Sequence, residues 1–526
     1  MDSICPLDIQ HSDKISALLK PPSSLQVQAS FEYFDQLVKT KQCHGLKVKQ
    51  DGVHGKGVYA ETDFNEGELV LKDEMLVGAQ HSSNKVDCLV CSYCFCFIGS
   101  IELQIGRKLY LHDLGLSGRM DCAAESSDEE DDLFNEDLGQ CSSSGAKKKI
   151  PLPKEAVESL MNGHIELPYS NKFSLSSAVP CPGKCGETYY CSELCADADW
   201  ESFHSLLCVG ENTGTPTKEA LLKFVQHADG TNDIFYLAAK AISFTVLRYR
   251  KLKAAQFQEQ KEHDAQDGND NSDFSLLLQA WRPVSMGYKR SSKARTALKF
   301  HCVSVRHGLD MSDAARYARV AALVFASAST SVSVLVWWEC VALPDDVDCC
   351  DEESFRGQIR ELAFEFNFCY LLNFEILFKC VVFSLEIYGH IIGMFELNNL
   401  DLVVASPVED YFLYIDDLQQ VDKEQAERTT RPVLDALGDE YSMCCQGSAF
   451  FPLQSCMNHS CRPNAKAFKR EEDRDGQATI IAVRRISEEE VTISYIDEDL
   501  PFKERQALLA DYGFKCMCSK CVEEEL

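Results

Sequence analysis

The residues with most capacity for chemistry lie in GSAFFPLQSCMNHSCRPN, from Gly447 to Asn464. There Asn458, His459, Ser460 and Cys461 are consecutive, in a run without charge before Arg462. Polar side chains set together in an apolar surround are costly to bury unless paired or liganded. Alone, such a tripeptide reads as a polar turn between buried strands. Two later stretches argue for more. VTISYI, from Val491 to Ile496, is a strand pattern ending near Tyr495. GFKCMCSKC, from Gly513 to Cys521, brings Cys516, Cys518 and Cys521 within six residues.

Upstream, possible metal ligands come in pairs: Cys91 with Cys94, Cys181 with Cys185, Cys191 with Cys195, and His204 with Cys208. Zinc takes four sulfur or imidazole ligands in a tetrahedron, and closely spaced pairs supply two at little entropic cost. Eight ligands make two zinc ions, and the spacing favours metal over buried free thiols. Cys88 offers an alternative CxxC with Cys91. Ser192 is placed to cap a short helix presenting Cys195. His204 and Cys208, four apart, suit one helical face.

The elements that must position these groups are readable in outline. Phe31, Phe34, Leu37 and Val38 recur at helical spacing, so residues 1–44 read as a helical lead-in. VHGKGVYA (Val53 to Ala60) is a Gly-punctuated turn entering a strand, and Leu69, Val70 and Leu71 form a β run after the turn at Asn65, Glu66 and Gly67. SSDEEDD (Ser126 to Asp132), SSSG and KKK cannot build a core, so about 118–170 reads as a disordered insert. Deleting 120–145 is expected to leave the fold intact; an aggregating deletion variant in gel filtration counts against that reading. Residues 233–251 have helical periodicity, 257–274 read as a polar linker, and 291–336 have neither clean periodicity nor turn logic.

The 526 residues allow roughly three domain-sized units. A net charge of −30 disfavours a grip on phosphate backbones and suits a basic partner, so no sequence-specific DNA binding is expected. Twenty-six cysteines, with no basic n-region and apolar core in MDSICPLDIQ, point to a reducing compartment where thiols bind zinc. Val320 to Trp338 is nineteen residues without charge, yet it holds four Ser and a Thr. It reads as a buried or disordered segment, and no membrane association is expected.

NHSCxPN, then a strand ending in Tyr, then GFxCxCxxC resembles the C-terminal half of SET-domain protein-lysine methyltransferases. With GKGVYA and EGELV ahead of a cysteine-rich block, the chain resembles the SET-and-MYND family. Within it the chain is similar to the divergent fifth member and to plant trithorax-related SET proteins, including over ELNNLDLVVASPVEDYFLYIDDL. The likeness lapses over 291–336, a lineage-specific insert or an imperfect gene model. MYND fingers have about eight residues between their first two pairs; here there are over eighty, so the insert must loop out.

The resemblance implies an α+β fold: a SET-domain β-clip of small sheets, interrupted by a zinc finger and a mostly helical insert, and closed by a zinc-bound tail. Its segments would be a lead-in to 44, an N-terminal SET segment 45–87, a double-zinc finger 88–208, a helical insert 209–440, a C-terminal SET segment 441–499 and a tail 500–526. Cys91, Cys94, Cys191 and Cys195 would hold one zinc; Cys181, Cys185, His204 and Cys208 a second; Cys461, Cys516, Cys518 and Cys521 a third. Lys56, Gly57, Tyr59, Asn458, His459 and Tyr495 would contact S-adenosyl-L-methionine, with Asn398 or Asn399 adding a contact. Tyr495 would be catalytic, and Tyr512 and Phe514 would line the lysine channel. The implied activity is methylation of a histone-tail lysine by a nuclear chromatin regulator, also present in the cytoplasm in some readings. The alternatives are a methyltransferase of another basic protein and a non-catalytic adaptor whose finger binds a transcription-factor partner.

Overall fold

The computed structural model describes residues 11–19, 24–41, 45–51, 55–116, 149–210, 221–222, 224–226, 228–229, 233–262, 270–286, 385–398, 400–470, 473–512 and 514–525. Readings made on 120–145, 291–336, Val320 to Trp338, Asn399 and Gly513 fall outside them. The described strands are Leu46–Asp51 (β1), Gly55–Ala60 (β2), Leu69–Asp73 (β3), Val77–Gln80 (β4), Val179–Pro180 (β5), Tyr189–Tyr190 (β6), Leu400–Val404 (β7), Cys445–Phe450 (β8), Asn458–His459 (β9), Ala465–Ala467 (β10), Ala478–Ala482 (β11) and Glu490–Ile493 (β12).

β1 and β2 form an antiparallel hairpin in which Leu46, Val48, Val58 and Ala60 are buried, the period-two pattern of a half-covered sheet. β12 pairs with β2, and β9 runs parallel to β12, giving the order β1-β2-β12-β9. Two three-stranded sheets, β10-β11-β3 and β4-β8-β7, complete the framework. Val58, Val70, Leu71, Met457, Ile480, Val491 and Ile493 share one core, so segments far apart in sequence close around β9.

The lead-in is part of that closure. Helix Ser24–Thr40 puts Phe34 into the same core. Just beyond it, Lys41 Nζ meets Asp73 at 2.5 Å. Asp73 is fully buried and also accepts the backbone N–H groups of Leu453 (2.8 Å) and Gln454 (3.0 Å). It therefore caps the 3-10 turn Gln454–Cys456 that leads into β9. Asp73→Ala takes the carboxylate from the Lys41 ammonium, which still reaches the Glu74 carbonyl, and removes the acceptor of the Leu453 and Gln454 N–H groups. It is expected to lower stability by about 3–5 kcal/mol, read by urea denaturation; a loss below about 1 kcal/mol would show that the pair is dispensable.

Two boundaries differ from the sequence reading. Residues 149–170 are folded: helix Lys154–Met161 buries Val157 and Leu160, and Leu160 and Leu167 join Ile101, Ile105 and Tyr411 in one core. The apolar residues after KKK win over the charge runs before them. At Gly106 this helix comes so close that a Cβ would lie 2.9 Å from Met161 N. The linker expected over 257–274 is also shorter, since helix Ile234–Glu262 runs on and helix Asp270–Ser285 begins before its end. Gln, Glu and Lys favour helix without needing an apolar face. Among the described residues no helix is long and apolar enough to cross a membrane.

Candidate active site and metal centres

The site is built where β9 meets β12. Ile493 pairs with His459, and Ser460 N–H donates to the Ile493 carbonyl at 3.0 Å. Past the strand end, Tyr495 turns its hydroxyl to the Met457 carbonyl, donating at 2.5 Å. Its ring lies 5.2 Å from Tyr512 and 6.4 Å, edge-on, from Phe514. The Tyr512 hydroxyl reaches the Tyr495 carbonyl at 3.4 Å. Tyr495, Tyr512 and Phe514 thus form one aromatic wall with His459 behind it, 5.3 Å from Tyr495 and 5.9 Å from Phe514. Burial pushes the Tyr495 phenol well above its usual range, and Tyr512, Cys456 and Glu490 act in the same direction. The hydroxyl therefore stays protonated through neutral and mildly alkaline pH.

The residues expected to contact the cofactor divide. The Asn458 amide donates to the Lys56 carbonyl (3.0 Å) and to Glu490 Oε1 (2.7 Å), so it ties β2 to β12. Gly57 lies beneath this tie: a Cβ there would fall 2.3 Å from Glu490 Oε1 and 3.2 Å from Asn458 Nδ2. Strand alternation puts Tyr59 on the same face as Gly57. It sends Lys56 the other way, where its ammonium meets the Met286 carbonyl and lies 5.5 Å from the Phe34 ring. Lys56 thus brings its backbone to the site and its charge to the helical insert. Asn398 is buried at the end of helix Leu385–Asn398, donating to Met394, with its Oδ1 buried and without a hydrogen-bond partner. Of two framing residues, Glu490 had no signal in the sequence, whereas Asn464 closes the NHSCxPN motif. Glu490 is one of three successive glutamates, and Asn464 donates to the Glu490 carbonyl (2.7 Å) and accepts from Thr492 N–H (2.8 Å).

The thiols gather into three groups: Cys91, Cys94, Cys191 and Cys195; Cys181, Cys185, His204 and Cys208; and Cys461, Cys516, Cys518 and Cys521. In each, the ligand atoms all lie within 4.8 Å of one another. Zn–S bonds of about 2.3 Å place tetrahedral sulfurs about 3.8 Å apart. The separations of Cys94–Cys191 (3.5 Å), Cys191–Cys195 (3.5 Å), Cys181–Cys208 (3.7 Å) and Cys461–Cys521 (3.5 Å) match, so these donor sets fit zinc. Ser192 caps helix Glu193–Asp199 through Cys195 N–H, as its position suggests. His204 and Cys208 do not share an α-helical face. A π-helical turn, Trp200–His204, carries the histidine, and Cys208 follows helix Ser205–Leu207 in extended backbone so that its sulfur can meet Cys181. Cys88 stands outside the three groups: its thiol faces the Met443 carbonyl at 3.5 Å, and burial pushes its pKa up to about 12.

Small sheets closing a tyrosine beside a cysteine-held tail, with a double-centre finger between the closing segments, define a SET-domain protein with a MYND finger. A SET-domain profile matches residues 324–496, and a MYND-finger profile matches 171–208. The chain belongs to the SET-domain protein-lysine methyltransferases that carry a MYND finger. It is 57% identical over its whole length, and over 99% of the relative, to Histone-lysine N-methyltransferase ATXR2 of Arabidopsis thaliana. Shorter likenesses are to Protein-lysine N-trimethyltransferase SMYD5 of Mus musculus (38% identity; 15% of this chain, 20% of the relative) and to Histone-lysine N-methyltransferase set5 of Schizosaccharomyces pombe (46%; 14% and 24%). The MYND match begins after Cys91 and Cys94; the structure folds that first pair back onto Cys191 and Cys195. The family's cofactor is S-adenosylmethionine, and the aromatic wall of Tyr495, Tyr512 and Phe514 beside the polar Asn458–Glu490 pair suits a cationic sulfonium.

Proposed function

We propose that this protein methylates a lysine on a histone tail, with Tyr495 as its catalytic residue. The observation that carries the reading is the Tyr495 hydroxyl, protonated and held on the Met457 carbonyl inside the aromatic wall. Bound S-adenosylmethionine supplies a methyl group on a cationic sulfur. In-line transfer to an amine needs no side-chain base in the transition state; alignment and exclusion of water do the work. Tyr495 commits its proton to Met457, so what it offers the substrate is its oxygen, an acceptor for the lysine N–H. Tyr512 and Phe514 line the lysine's path. An apolar channel disfavours the ammonium form, so the amine reaches the sulfur neutral. The Asn458–Glu490 tie and Gly57 keep β2 and β12 in register around the cofactor.

The histone assignment draws on the names of the similar Arabidopsis and fission-yeast proteins and on the charge of −30, which suits a basic substrate. Labelled S-adenosylmethionine with a mixed histone pool tests it. Label on a histone is expected; label confined to non-histone proteins of an extract would reassign the substrate, and no label on any protein would favour the adaptor reading. We place the protein in the nucleus and assign the finger to a transcriptional partner. A tagged full-length chain should stain nuclei, and purely cytosolic staining would count against this placement.

A further inference from the structure

Tyr495 stands two residues beyond Ile493, the last paired residue of β12, so the ladder does not fix its backbone. Its N–H donates to Nδ1 of His459 at 3.1 Å. That bond requires a bare Nδ1, and the neutral ring then carries its proton on Nε2. Nε2 lies 3.2 Å from Sγ of Cys461, a member of the tail's four-cysteine group. One imidazole therefore touches both the backbone of the proposed catalytic residue and a sulfur of the metal centre. It has little room to move, because its own backbone is held by Ile493 and its ring by Tyr495 and Phe514.

The tail centre has an electrostatic need for such a donor. Four thiolates around a divalent ion leave two net negative charges, and N–H groups aimed at the sulfurs offset them. Gln506 Nε2 lies 3.2 Å from Cys521 Sγ, and the buried Arg505 guanidinium lies 3.9 Å from the same atom. His459 plays the corresponding part at Cys461.

We propose that the His459 side chain is a positioning residue that makes methyl transfer depend on a filled tail centre. A filled centre keeps Cys461 as an acceptor, which sets the imidazole's tautomer and tilt, which in turn holds the Tyr495 backbone. An emptied centre releases that acceptor and loosens the His459 hold on the Tyr495 N–H, while the Tyr495 hydroxyl stays on Met457. The proposal rests on the reading of Tyr495 as catalytic.

The test uses two variants of the full chain. H459N keeps a carboxamide oxygen near Nδ1 for Tyr495 but has nothing to reach Cys461. H459Q reaches toward the sulfur with a donor and leaves the Tyr495 N–H without its acceptor. Zinc transfer to a chromogenic chelator is followed in each, with Cys518→Ser identifying the tail's release phase. H459N is expected to release tail zinc about tenfold faster or more. H459Q is expected to release it near the parental rate while kcat, read in single turnover at saturating S-adenosylmethionine, falls about tenfold to a hundredfold. Parental zinc release in H459N overturns the proposal, as does parental turnover in H459Q when Y495F is impaired. Parental turnover in Y495F overturns instead the site reading beneath it.

Discussion

Tyr495→Phe is expected to slow methyl transfer on the order of a hundredfold while leaving S-adenosylmethionine binding nearly unchanged. The substitution keeps the ring, and with it the packing against Tyr512 and Phe514. It removes the hydroxyl and its bond to Met457, and so the oxygen that would receive the lysine amine. Cofactor affinity should change little because the polar frame at Gly57, Asn458 and Glu490 is untouched. Asn458→Ala should show the reverse. It cuts the tie between β2 and β12, so weak cofactor binding should be its first defect. Calorimetric titration of the cofactor, beside a single-turnover assay, separates the two patterns. Unimpaired turnover in Tyr495→Phe would remove the tyrosine from the catalytic role. The raised phenol pKa adds a pH corollary: the hydroxyl stays protonated, so the parent's rate should show no loss from tyrosine ionisation as pH rises from 7 to about 10.

Metal removal is the second large effect. The three ligand groups predict zinc near three equivalents per chain. Structural zinc contributes about 10–16 kcal/mol of apparent binding free energy in small zinc-finger peptides, more than a domain's usual net stability. Beyond the metal, the described tail is held by small contacts: Tyr512 and Phe514 on Tyr495 and His459, and Lys520 on the Glu498 carbonyl. Its core is Cys461, Leu509, Cys516 and Cys521 with a few partly buried neighbours, and its ion pair to the preceding segment, Arg462 with Glu523, is exposed. Chelation should therefore release the tail, open the aromatic wall at Phe514 and abolish activity. Metal analysis with limited proteolysis of the chelated protein checks this. One zinc or none in the purified protein would defeat the assignment of the finger.

Much of the chemistry was legible in the chain before folding because it is local. Closely spaced cysteines chelate as pairs, so CxxC, CxxxC and CxCxxC announce metal at short range. Val491 and Ile493 alternate with Glu490, Thr492 and Ser494, so β12 was visible as a strand. Ser192 marked its helix for the same reason. What the local pattern could not carry was partnership. Nothing in residues 88–96 states that Cys88 turns away to Met443 while Cys91 and Cys94 join thiols about a hundred residues later. Side-chain direction also escaped it. Lys56 and Asn458 were both read as cofactor contacts; strand alternation aims the Lys56 ammonium at Met286, and the Asn458 amide donates to the Lys56 carbonyl and to Glu490. Asp73 and Glu490 gave no signal because a lone carboxylate in a strand or turn is common. They matter through donors brought to them from hundreds of residues away or from across a sheet. The sequence by itself determined the class of protein and its metal-binding types, since both rest on residue identity at short spacing. Only the tertiary structure decided that Cys88 turns to Met443, that the Lys56 ammonium goes to Met286 and that His459 touches both Tyr495 and Cys461, because those follow from chain closure and the direction of each side chain.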